Sequence, residues 1–194
     1  YGDKLKKVTY WTEEDFTTGR VFESDIPLDT RILIDRYPDS DDISKDHRIL
    51  YYDIEVEVTD GFPEPAQAPN KITSIAFQTS HDEKSYVYIL GDRKDTIKDG
   101  TSIKFFRNEK DLLQEFLRFW IDVKPTIISG WNIDQFDTPY LYNRISKVFN
   151  EDFANALSPI QQVRYNQNKK KYRIAGISSL DYIELYRKFT YVQR

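Results

Sequence analysis

Asp53, Glu55 and Glu57 stand at alternate positions in YYDIEVEVTDGFPEPAQ, residues 51–67, with Ile54, Val56 and Val58 between them. In a strand, positions two apart share a face and sit about 6.5 to 7 Å from each other, so the carboxylates line one side and the apolar residues the other. On an open face such a row is a solvated acidic surface, because two charges ~7 Å apart in water repel by well under ~1 kcal/mol. Under a covering helix the effective dielectric falls towards ~20, the repulsion rises to roughly 2 kcal/mol and desolvation adds to it; a divalent cation is then required. A second acidic element follows in GWNIDQFDTPYLYNR, 130–144, where Asp137 opens a helix with Pro139 in its first turn. Aspartate is also a favoured helix cap, and that is the structural alternative at this position.

Composition limits what these acids could hold. The 194 residues contain no cysteine and two histidines, His47 and His81, so thiolate sites, disulfides and multi-histidine zinc cages are excluded and any metal is held by oxygen. A net charge of -4 excludes a protein that coats duplex DNA by neutralising many phosphates, though not a nucleic-acid active site. No apolar run approaches the roughly 18 to 20 residues that span a bilayer, so a soluble protein without membrane contact is expected. The chain opens at Tyr1 and has no methionine, which reads as a piece cut from a longer polypeptide.

The elements that must position the acids follow from periodicity. ILYYDIEVEV (49–58), KITSIAFQTS (71–80) and SYVYIL (85–90) read as three antiparallel neighbouring strands. Asn108 caps a helix through EKDLLQEFLRFWIDVK, with Leu112, Leu113, Phe116, Leu117 and Trp120 on one face and Pro125 as its stop. TIISG (126–130) reads as a buried strand, and a second helix runs from Asp137 through LYNRISKVF. This β-β-β-α-β-α order describes an α/β layer of the ribonuclease-H-like kind, a mixed sheet of about five strands flanked by helices with the first strand central. QQVRYNQNKKKYRIAG forms a projecting basic hairpin insertion over 161–176. Residues 1–48, with the acidic run PDSDD at 38–42, read as a flanking segment, and 49–194 as the main domain.

Taken in chain order, Asp53-Ile54-Glu55 and the Asn132 to Asp137 stretch (Asn-x-x-x-Phe-Asp) resemble the first and second motifs of the proofreading exonuclease domain of family B DNA polymerases. DGFPEP (60–65) and LDYIELYRKF (180–189) are similar to segments of the replicative polymerases of T-even-type bacteriophages, and VFESDIPLDTRILIDR (21–36) looks like the segment preceding the exonuclease, a remnant of the polymerase N-terminal region. The likeness covers about residues 20–194. It implies a magnesium-dependent 3′ to 5′ exonuclease that removes the terminal nucleotide of single-stranded DNA during phage replication, in the host cytoplasm if phage-encoded. Phosphodiester hydrolysis needs an activated water, a neutralised phosphate and a stabilised leaving oxygen, which two ions ~3.5 to 4 Å apart can supply. By resemblance Asp53 bridges two Mg2+ ions (Mn2+ can substitute), Glu55 ligates the ion that activates the water and Asp137 holds the second through water. Glu57 lies outside the motif and has no assigned role.

For DNA contact, Phe62 is the candidate that stacks on a frayed 3′ end. By resemblance Asn132 supports the terminal nucleotide, the alternative being a turn-capping asparagine, while Trp131 reads as packing. The hairpin resembles a strand-separating element in which Arg164, Lys169, Lys170 and Lys171 meet phosphate, the alternative being a solvated basic turn. The third motif of the family, Tyr-x-x-x-Asp, is expected after residue 189 and is not reached by Arg194. Tyr37 and Asp41 share its spacing by chance, and His47 and His81 are badly placed to substitute. The chain alone is therefore expected to have the fold, part of the metal site, little nuclease activity and no polymerase chemistry, the rest of the polymerase being its partner. Competing readings are a free-standing DNA or RNA exonuclease of the same superfamily and a non-catalytic nucleic-acid-binding scaffold.

Overall fold

The computed structural model describes residues 10, 12–19, 21–22, 26–37, 39, 45–59, 61–82 and 84–190. Asp60, Asp41 and most of the acidic run at 38–42 lie outside them, as do Tyr1 and Arg194. The chain divides into two compact units, Tyr1–Ser44 and Lys45–Arg194. The first unit contains two short helices, α1 (Glu13–Thr17) and α2 (Leu28–Arg36). Thr12 and Asp15 close a reciprocal capping box on α1, which satisfies two backbone donors that a helix start leaves open.

The second unit begins with β1 (Ile49–Val56), β2 (Ile72–Thr79) and β3 (Ser85–Leu90). These pair antiparallel in sequence order, with Asp53 opposite Ala76 and Ile75 opposite Tyr88. β4 (Thr96–Lys98) and β5 (Thr101–Phe106) follow as a hairpin whose two turn residues, Asp99 and Gly100, have φ of 51° and 79°. An Asp-Gly pair suits the type I′ geometry that a two-residue hairpin favours. Next come α3 (Glu109–Val123), β6 (Ile127–Gly130), α4 (Asp137–Val148) and α5 (Glu151–Asn155). The chain continues through β7 (Val163–Asn166), β8 (Lys171–Ile174), β9 (Ser178–Asp181) and α6 (Tyr182–Phe189).

The main sheet has seven strands in the order β4-β5-β3-β2-β1-β6-β9, and β7-β8 form a separate two-stranded sheet. This is the expected mixed α/β layer of the ribonuclease-H-like kind, with two strands more than the roughly five read from the sequence. β4 is exposed at all three positions and β9 (SSLD) is mostly polar, so neither displays the apolar run or alternation of a buried strand. β1 is interior, flanked by β2 and β6, but stands fifth of seven.

The core forms where α3 covers one face of this sheet. Asn108 Oδ1 accepts the Asp111 N–H at 2.9 Å to start α3, and Lys124, at φ 49°, ends it before Pro125. Leu112, Leu113, Phe116, Leu117 and Trp120 are buried with Leu50, Tyr52, Ile54 and Phe77. The Phe116 ring lies 5.2 Å from Phe77 and Trp120 lies 5.7 Å from Tyr52, both edge to face. Packing of this kind removes large aromatic surfaces from water and fixes the frame of β1.

Candidate active site

Alternation on β1 buries Leu50, Tyr52 and Ile54 and leaves Tyr51, Asp53 and Glu55 exposed on the other face. The acidic face is therefore open, and repulsion between its two acids is screened by water. The register slips between Glu55 and Val56, and the strand ends at Val56. Glu57 lies beyond the alternation, exposed, with its N–H on Lys71 O and its carbonyl on the Asn70 side chain. The row of three acids is thus a pair followed by a loop residue.

The third acid reaches β1 from across the sheet. β6 runs parallel to β1 only as far as Ser129 opposite Tyr51, so the next part of that edge has no strand partner. Asp137, first residue of α4, fills the gap: its Oδ1 accepts the Ile54 N–H at 2.9 Å. One residue on, Thr138 Oγ1 and the Tyr52 hydroxyl share a hydrogen bond of 2.6 Å. Asp137 is 3% exposed. Burial pushes its carboxyl up to about 7, the Ile54 N–H opposes that shift, and the Asp53 charge adds to it.

The loop between β6 and α4 is held closed by Gly130, Asp134, Ser179 and Asp181, to which the sequence assigned no role, together with Asn132 and Lys171. A Cβ at Gly130 would stand 2.6 Å from Tyr52 O and 2.5 Å from Ile133 Cγ2, so only glycine allows this approach. Asn132 adopts φ 61°, its N–H donates to Asp181 Oδ1 at 2.9 Å, and its carbonyl accepts from Gln135 and Phe136. Asp181 Oδ2 accepts the Asp134 N–H at 3.0 Å, while Oδ1 also caps α6 through the Ile183 N–H. Asp134, 5% exposed, accepts from Ser179 Oγ at 2.5 Å and from Lys171 Nζ at 2.7 Å. The sequence marked Asp181 only as part of LDYIELYRKF (180–189), with no role of its own.

Phe62 is 77% exposed, with its ring 4.9 Å from Phe136 in this loop. The far half of its own loop is fixed by α4. Arg144 pairs with Glu109 through two contacts of 2.7 Å and donates to the carbonyls of Ala68 and Pro69. Glu109 Oε1 accepts the Ile72 N–H, the Tyr140 hydroxyl bonds both backbone groups of Asn70, and Asn143 donates to Pro65 O. Trp131 is half exposed beside Tyr182 and Tyr186 of α6.

On the hairpin, Arg164, Lys169 and Lys170 are exposed, and Arg173 stands opposite Arg164. Lys171 differs from them: its ammonium is taken by Asp134. The structure thus brings Asp53, Glu55 and Asp137 to β1, with Phe62 and Asn132 on the two loops beside it. Among the described residues no three His, Asp or Glu side chains are grouped closely enough to hold an ion. The donor set still suits a hard divalent cation: all are carboxylate oxygens, two are open to solvent, and the buried third is penalised by a neighbouring negative charge that a cation would offset. Among the described residues no helix is long and apolar enough to cross a membrane.

Comparison with known proteins gives a consistent result. The family described as DNA polymerase family B, exonuclease domain, matches residues 33–194. The DNA-directed DNA polymerase of Escherichia phage RB69 is 37% identical over 186 residues, covering 79% of this chain and 21% of the relative. That of Enterobacteria phage T4 is 34% identical over 174 residues, covering 74% of this chain and 19% of the relative. The DNA polymerase delta catalytic subunit of Dictyostelium discoideum is 30% identical over 173 residues, 85% of this chain and 15% of the relative. The chain spans about a fifth of the length of the two phage relatives.

Proposed function

The chain belongs to the exonuclease domain family of family B DNA polymerases, and on that footing we propose that it carries the 3′ to 5′ proofreading site of a replicative polymerase. The observation that carries the reading is the bond that ties Asp137 of α4 to β1 at Ile54, the strand whose open face carries Asp53 and Glu55.

The reaction is hydrolysis of the last phosphodiester of a single strand. Water adds to phosphorus, the bond to the 3′ oxygen of the shortened strand breaks, and that oxygen leaves with a proton as the new 3′ hydroxyl. Bound magnesium would supply water activation and charge neutralisation at the phosphate. Asp53, Glu55 and Asp137 would hold it. Phe62, exposed and backed by Phe136, would offer a face for the terminal base, and Asn132, whose backbone N–H is held by Asp181, would meet the terminal nucleotide. Arg164, Lys169 and Lys170 offer cations to the approaching backbone. Slow excision by the isolated chain is part of the proposal. The rest of the polymerase is its partner, and the host cytoplasm its place of action.

The test uses the polymerase that contains this chain and a 5′-labelled single strand. Magnesium should produce a ladder that shortens from the 3′ end, and chelation should stop it. Internal cuts, release from the 5′ end or activity in chelator would overturn the reading.

A further inference from the structure

The hairpin β7-β8 shares no strand pairing with the seven-stranded sheet. An isolated two-stranded ribbon is marginal in water, so its orientation depends on side-chain anchors to the rest of the fold. Tyr172 provides one, bonded to Asn143 Oδ1 at 2.9 Å with its ring tilted 36° and 4.8 Å from Tyr142 of α4. Ser158 Oγ donates to Ala175 O just past β8. Those contacts tie the hairpin to α4 and to the segment before it. Lys171 does something different: Nζ lies 2.7 Å from Asp134 Oδ2, in the loop that carries Asn132 and leads into Asp137. Asp134 is buried, its other oxygen is taken by Ser179, and its N–H by Asp181.

We propose that Lys171 is a positioning residue whose ion pair with Asp134 locks the hairpin onto the loop of the candidate active site, so that hairpin and site move as one body. Removing the ammonium leaves a buried carboxylate without its cation, and the loop and the hairpin both readjust. A phosphate-binding lysine would instead be free to exchange its partner and would register in the salt dependence of DNA binding. The lock stands on this geometry alone; its effect on DNA rests on the exonuclease reading.

The chain has no cysteine, so Asn168→Cys at the hairpin tip and Asp122→Cys on the exposed side of α3 create two unique spin-label sites in the full chain. With Lys171 present, the label distances should form one narrow distribution. Lys171→Met should broaden or shift it and Lys171→Arg should restore it, with circular dichroism confirming that both variants stay folded. An unchanged distribution in Lys171→Met would overturn the proposal. In the polymerase that carries the chain, Lys171→Met should lower excision from a duplex primer end, relative to a single strand, by about tenfold or more. It should leave the salt slope of single-strand binding intact. A slope reduced by about 1, with both substrates affected equally, would make Lys171 a phosphate contact and end the proposal. If the distances respond while even the unaltered polymerase excises nothing, the lock stands and the exonuclease reading fails.

Discussion

Asp137 is the residue whose chemistry depends most on where the fold puts it. Its carboxyl, 3.8 in an unfolded chain, is pushed to about 7 by burial and by Asp53. A carboxyl that holds its proton more tightly when folded favours folding in the protonated form. That contribution is complete below about pH 4, declines as pH rises through 7 and is gone above it, a difference on the order of 4 kcal/mol. The metal-free chain should therefore lose stability between pH 5 and 7.5 relative to Asp137→Asn, which keeps an acceptor for Ile54 but does not titrate. Calorimetric unfolding of the two proteins checks this; parallel curves would contradict it. Millimolar Mn2+ should raise the unfolding temperature of the unaltered chain more at pH 7.5 than at pH 5. The shared face of Asp53 and Glu55 was legible in the sequence because strand periodicity alone dictates it. The burial of Asp137 was not, since it depends on β6 ending its pairing at Tyr51.

Among the elements, α4 has the largest structural task. It delivers Asp137 at its start and, one to two turns later, uses Tyr140, Asn143 and Arg144 to fix the loop after β1. The Arg144–Glu109 pair is nearly buried, so Arg144→Leu should cost roughly 3 to 5 kcal/mol by leaving Glu109 charged and unpaired. Urea unfolding measures this, and Arg144→Leu with Glu109→Leu should lose less than the sum of the two single changes. Gly130→Ala forces a methyl against Tyr52 O and Ile133, and should cost roughly 1 to 3 kcal/mol with α4 displaced from β1. Helices α3 and α4 and strands β1 to β3 were readable from apolar spacing, and the hairpin from its turn residues. The clamp was not readable, because Arg144 and Glu109 lie 35 positions apart and each alone reads as surface charge. β4 and β5 left one unread signal, the Asp99-Gly100 turn.

For the whole molecule, the proposed proofreading site draws on features around β1: two open acids, a buried acid bonded to the strand, an exposed aromatic and a cationic hairpin tied to the loop before α4. A net charge of -4 is not that of a surface that coats duplex DNA by neutralising many phosphates. The phage relatives are about five times as long as this chain, and if the proposed site is right, excision should be separable by mutation from nucleotide addition. The most direct measurement is Asp53→Ala in the full polymerase, followed on one primer-template for nucleotide addition and on one single strand for excision. Excision should fall by about 10³-fold or more, because several kcal/mol of charge stabilisation are lost, while addition stays at its original rate. Retained excision, or loss of both activities together, would contradict the assignment of the site to Asp53, Glu55 and Asp137.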